Sequence, residues 1–177
     1  MRQKLYGRSG ARRFLCRAPL DWAGVNYYTR SVITPDAKEP HFGFACIRGD
    51  LPKTDMGWEI DPQGLGFFLN RLATEIAPGL PIYITENGMA NADRVNAGQV
   101  NDTDRTAYFA NHLAEIEKQI AQGCPIRGYF AWSLLDNYEW AFGYDKRFGL
   151  VHVDFETQKR TPKASYFNWK DGLQHRK

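Results

Sequence analysis

A carboxylate closes a short apolar, β-branched run in Pro81-Ile-Tyr-Ile-Thr-Glu86-Asn87-Gly88, immediately before a turn pair. Buried parallel strands read as near-continuous hydrophobic stretches, and in α/β folds reactive groups gather where strands finish and loops begin. The pattern therefore delivers Glu86 to the rim of a sheet, where an acid can serve as a nucleophile. The plain alternative is that an isolated Glu-Asn-Gly only opens an exposed loop, since Asn-Gly signals a turn wherever it occurs.

The elements that must position this acid alternate between two periods. Strand-like segments run from about Trp22 to Tyr28, Pro81 to Thr85 and Ile126 to Trp132. Between them, Asp61 and Pro62 open a helical stripe of Leu65, Phe68, Leu69, Leu72 and Ile76 that ends at Pro78-Gly79. A second helix, capped by Asp102 or Thr103, carries Phe109, Leu113, Ile116 and Ile120 and stops at Gly123 and Pro125. A last helix is expected from Thr161-Pro162, with Phe167 and Leu173 on it. Strands alternating with helices imply right-handed β-α-β units and a parallel sheet. Residues 29–60 and 133–160 are longer than simple connections need and hold many Gly, Asp and aromatic residues, the mark of loops that build binding surfaces.

Composition sets outer limits. The 177 residues suit one domain with a real core. An aromatic content of 14% fits either heavy core packing or a cleft that stacks on the apolar faces of sugar rings. The net charge of +3 comes largely from Arg2, Lys4, Arg8, Arg12, Arg13 and Arg17, which occur without an acid among them. Basic runs attract polyanions. This one is neither repeated elsewhere nor joined to the apolar segment of a secretory signal, so residues 1–19 are expected to be a disordered or spurious leader and nucleic acid is not the expected partner. No run reaches the roughly eighteen apolar residues of a membrane span. Cys16, Cys46 and Cys124 lie far apart without zinc-ligand spacing, which points to a reduced compartment, the cytoplasm, and to no metal.

Four stretches in order and register carry a resemblance: Gly-Val-Asn26-Tyr-Tyr28-Thr-Arg, Ile84-Thr-Glu86-Asn-Gly-Met-Ala, Gly128-Tyr-Phe-Ala-Trp132 continuing through Asp136-Asn-Tyr-Glu139-Trp140 to Arg147-Phe148-Gly-Leu, and Arg160-Thr-Pro-Lys-Ala-Ser-Tyr-Phe. Together they resemble the C-terminal part of family 1 glycoside hydrolases of the β-glucosidase type, from about Leu20 to Lys170. The resemblance implies an α/β fold in which residues 20–177 are the C-terminal part, strands six to eight with their helices, of an incomplete (β/α)8 TIM barrel. It also implies that Glu86 is the nucleophile of a retaining glycosidase, with Tyr28 donating its hydroxyl to that carboxylate and Asn26 lining the same mouth. Trp132, Glu139 and Trp140 would hold the sugar ring, and Phe148 would shape the pocket floor. On pattern alone core packing is the favoured reading of Tyr28, the two Trp could equally be core residues, and Glu139 a solvated turn acid.

Retention of configuration needs two carboxyl groups about 5 to 5.5 Å apart, one attacking and one protonating the leaving oxygen. In the family the second comes from an Asn-Glu-Pro motif, and no such tripeptide occurs in this chain. The expected function is hydrolysis of unphosphorylated β-glucosides or oligosaccharides through an ester on Glu86, with the general acid supplied by a missing N-terminal half of the barrel and no cofactor. Members acting on 6-phosphorylated sugars replace the Glu-Trp pair, and a fixed charge at Glu139 would repel a phosphate. The competing expectation is a catalytically incomplete sugar- or partner-binding fragment.

Overall fold

In the computed structural model, residues 19–174 are described except 37, 39–41 and 48. The expected leader, including Cys16, lies outside the described residues apart from its last position. Three parallel strands form the main sheet: β1 (Ala23–Tyr27), β4 (Ile82–Asn87) and β5 (Ile126–Ala131), in the order β1-β4-β5. Two small antiparallel pairs accompany it, β2 (Val32–Pro35) with β3 (Phe44–Ile47), and β6 (Val151–Val153) with β7 (Arg160–Pro162). The helices are α1 (Pro62–Arg71), α2 (Thr103–Ala121) and α3 (Ala164–Gln174).

Alternation along each strand gives the sheet two unlike faces. Val25, Ile82, Ile84 and Ile126 point to a core shared with Leu65, Leu69 and Leu72 of the α1 region and Ile116 of α2. Trp22 and Phe130 stand on the other side, 51% and 57% exposed. A second core joins Met89, Tyr108, Phe109 and Leu150, with Tyr129 and Trp169 packed against it.

Helix α1 begins as its sequence dictates. The Asp61 carboxylate accepts from the Gly64 amide at 3.0 Å and Pro62 fills the first turn, where a missing N–H costs nothing. After Arg71 the coil widens into a π-turn over Leu72–Ile76 and ends at Ala77. The buried stripe is Leu65, Leu69 and Leu72; Phe68 and Ile76, expected on it, are 40% and 58% exposed because they point away from that face. In α2, Ile120 is likewise exposed.

Two expectations are corrected. Residues 160–162 do not open the last helix; they pair with β6, and α3 starts at Ala164. A residue before proline is biased towards extended backbone, and at Thr161 that bias outweighs the capping signal. The segment 29–60, expected as an elaborated loop without strands, contains the β2–β3 hairpin, whose Val-Ile-Thr and Phe-Ala-Cys-Ile runs have strand composition.

Candidate active site

Strand β4 extends through Glu86 and Asn87, so the acid sits within the last residues of the ladder rather than beyond it. Pairing is irregular there: the register shifts between Val25 and Asn26 on one side and between Ile84 and Asn87 on the other. Bulges re-aim side chains at strand ends, and this one sets Glu86 opposite Asn26. The hydroxyl of Tyr28, just past β1, donates to Glu86 Oε2 at 2.7 Å. Burial, then the hydrogen bond to Glu86, then the negative charges of Glu86 and Glu139 hold the Tyr28 phenol well above its usual range, so it remains a donor.

Phe148 is 3% exposed and meets the Tyr28 ring edge-on, with centroids 6.1 Å apart. Trp58 meets the same ring at 5.6 Å. These aromatics fix the phenol's direction, so Phe148 braces Tyr28. Asn26 accepts from the Thr85 hydroxyl at 2.6 Å and flanks the carboxylate. The amide of half-buried Trp132 donates to the Asn87 carbonyl at 2.8 Å. Its own carbonyl oxygen passes so close to Gly88 that any Cβ there would overlap it, which accounts for a glycine after Asn87.

Glu139 and Trp140 lie on the connection between β5 and β6. The Glu139 amide bonds to the Gly143 carbonyl at 2.6 Å, and a 3₁₀ turn over Trp140–Phe142 presents Trp140 at 83% exposure. Burial first, and then the charge of Glu86, push the Glu139 carboxyl upward. The two acids therefore share one electrostatic environment. The structure brings Glu86, Tyr28 and Phe148 into one connected cluster, with Asn26 and Trp132 attached through β1 and β5; Trp140 projects from it. The largest cavity described, about 610 Å³, is lined by Asn26, Arg30, Asp61 and Phe67 among others, and neither Glu86 nor Glu139 lines it.

Several supporting residues escaped the sequence reading. Trp58 follows a Met-Gly turn in a stretch recognised only as an elaborated loop. Glu59, 5% exposed, accepts from Arg30 at 2.7 Å and from the Leu51 amide at 2.9 Å, clamping that loop to the end of β1. Arg147 donates to Asp136 at 2.7 Å. Asp136 also accepts from Lys163 at 2.8 Å; Lys163 reaches Asp93 at 2.6 Å, and Arg105 joins Asp93 at 2.7 Å and pairs with Asp102. This ionic cluster ties the loop after β4 to the connection that carries Glu139. Apart from Asp102 and Arg105, the partners in this cluster lie 11 to 70 positions apart and left no local signal. No group of His, Cys, Asp and Glu among the described residues is arranged to hold a metal, and no helix among them is long and apolar enough to cross a membrane.

Known proteins match over most of the chain. The model of glycosyl hydrolase family 1 covers residues 8–177. β-Glucosidase A of Thermotoga maritima is 46% identical over 147 residues, 82% of this chain and 32% of the relative. A 6-phospho-β-galactosidase of Streptococcus equi subsp. zooepidemicus is 47% identical over 118 residues, 67% of this chain and 25% of the relative. The crystal structure of a β-glucosidase from Exiguobacterium antarcticum B7 superimposes with a TM-score of 0.86 at 42% identity, covering 89% of this chain and 35% of that one. The chain thus spans about a third of the length of these relatives, and its strands and helices are part of a TIM-barrel glycosidase fold. Shared over nearly all of its residues in both sequence and backbone, this likeness makes the chain a member of glycosyl hydrolase family 1.

Proposed function

We propose that the chain carries the nucleophile half of a retaining β-glycosidase acting on unphosphorylated β-glucosides. In this reading β1, β4 and β5 are strands six, seven and eight of the barrel, and residues 20–177 are its C-terminal portion. Glu86 attacks the anomeric carbon, the leaving oxygen takes a proton from an acid outside this chain, and water then hydrolyses the glycosyl ester. Tyr28 holds the attacking oxygen in line, Glu139 accepts from sugar hydroxyls, and Trp132 and Trp140 offer indole faces to the ring. Asn26 contributes a polar group at the mouth, and Phe148 keeps Tyr28 upright.

The observation that carries this reading is the 2.7 Å contact of Tyr28 with Glu86 at a strand tip whose charge is also felt by Glu139. The Streptococcus relative raises 6-phosphorylated sugars as a second substrate class. Glu139 speaks against them, since its carboxylate would face the added phosphate.

The test is covalent trapping with a 2-deoxy-2-fluoro-β-glucoside bearing a dinitrophenolate leaving group, which departs with little acid assistance. The chain is used alone and fused behind the residues of the Thermotoga β-glucosidase that precede the matched segment. Peptide mapping is expected to find one glycosyl group on Glu86 in the fusion, none in Glu86→Gln, and at least tenfold slower labelling by the 6-phosphorylated analogue. A folded fusion labelled elsewhere, or not at all, overturns the proposal.

A further inference from the structure

Asn87 follows the proposed nucleophile and is fully buried. Its Nδ2 donates to the Tyr27 carbonyl at 2.7 Å and to the Tyr108 hydroxyl at 2.9 Å, while Oδ1 accepts from the Tyr129 hydroxyl at 2.6 Å. Both amide hydrogens are used. The three bonds reach β1, α2 and β5 from the tip of β4. They fall beside the register shifts at Val25/Asn26 and Ile84/Asn87, where pairing resumes at Tyr27 and Ala131 against Asn87, so the side chain adds cross-strand bonds where the ladder is irregular.

A closed circuit results. The Asn87 side chain grips the Tyr27 carbonyl, the Tyr27–Tyr28 peptide leads to the phenol, the phenol donates to Glu86, and the Glu86–Asn87 peptide returns to the start. We propose that Asn87 is a positioning residue that sets the Tyr28 hydroxyl against the Glu86 carboxylate. The inference rests on the glycosidase reading for its purpose, but its geometry stands apart from turnover. A buried asparagine that served only to satisfy the core would stabilise the fold without governing that contact.

Tyrosine 13Cζ resonances of the 177-residue chain separate the two roles. Tyr28 is assigned by its loss in Tyr28→Phe, and Glu86→Gln sets how far its signal moves when the charged acceptor is removed. Asn87→Ser is expected to move it at least half as far, whereas Tyr108→Phe, which cuts only the bond towards α2, leaves it in place. Should Asn87→Ser fail to fold, Asn87→Leu keeps the branched shape, adds no charge and cannot donate to the Tyr27 carbonyl, and the same displacement is expected. A Tyr28 signal at its wild-type position in the folded Asn87 variant overturns the proposal. Failure of Glu86 to accept the fluoroglucosyl group would remove the glycosidase reading and leave this result untouched, because the resonance reports the contact without any reaction.

Discussion

Around Asn87 the buried polar groups are neutral, with an amide shared among Tyr27, Tyr108 and Tyr129. Around Asp136 they are ionic, three aspartates meeting Arg105, Lys163 and Arg147. The neutral set joins strand tips that a ladder already brings close, so weak bonds of about 1 kcal/mol each suffice to choose among nearby arrangements. The ionic set joins segments with no ladder between them, such as Asp93 and Lys163, 70 positions apart. Charge balance there restricts which segments can meet: three carboxylates face three cations, and removing one leaves a buried excess. Hydrogen-bonded amides tune a site; buried ion pairs hold loops where periodic structure cannot.

The largest test of that contrast is Lys163→Met. Its ammonium is fully buried between Asp93 and Asp136, and its loss leaves one uncompensated negative charge. A drop of about 3–5 kcal/mol in unfolding free energy is expected from urea titration; a loss below about 1 kcal/mol would put the ionic cluster on the same footing as the neutral one.

The neutral set makes a prediction through pH. His112 stacks on Tyr108 with ring centroids 3.9 Å apart, its Nδ1 meets the Tyr108 carbonyl, and its Nε2 is buried with no partner among the described residues. Burial pushes the imidazole down to about 4 from 6.5. The unfolded chain therefore binds the proton first as pH falls. Stability contributed by the neutral ring is present above pH 6.5 and is lost between there and about 4. The expected loss is about 3 kcal/mol, and His112→Phe, which keeps a ring on Tyr108, should flatten the profile across that window. An unchanged slope in the variant would assign the acid sensitivity to a group other than His112, such as His152, whose imidazole burial also pushes down.

The smallest effect supplies a baseline. Arg71 and Glu75 pair at 3.1 Å on the exposed side of the α1 region. Arg71→Ala should change stability by no more than about 0.5 kcal/mol, since exposed i,i+4 pairs are weak and screened. A larger change would mean that the wide π-turn after α1 depends on the pair.

Much of this architecture was legible wherever a local period or a cap carried it. Leu65, Leu69 and Leu72 announced a helix face, Asp61-Pro62 its start, and the Ile-Tyr-Ile-Thr run a strand. Family likeness, not periodicity, pointed to the meeting of Tyr28 with Glu86, because a tyrosine at a strand end has the same pattern whether it packs or binds. What stayed hidden depends on distant partners. Pro162 looked like a helix start because nothing local shows that 160–162 would pair with 151–153. Phe68 looked like core because helical spacing alone does not reveal which flank of the stripe is covered. Arg147 carries no local sign that Asp136 lies beneath it.

The crossing at Gly88 has one further consequence. With the Trp132 carbonyl seated where a Cβ would be, the ends of β4 and β5 approach more closely than any residue but glycine allows at position 88. A side chain at position 88 would therefore have to push Trp132, and with it the start of the coil towards Trp140, away from the residue that follows Asn87.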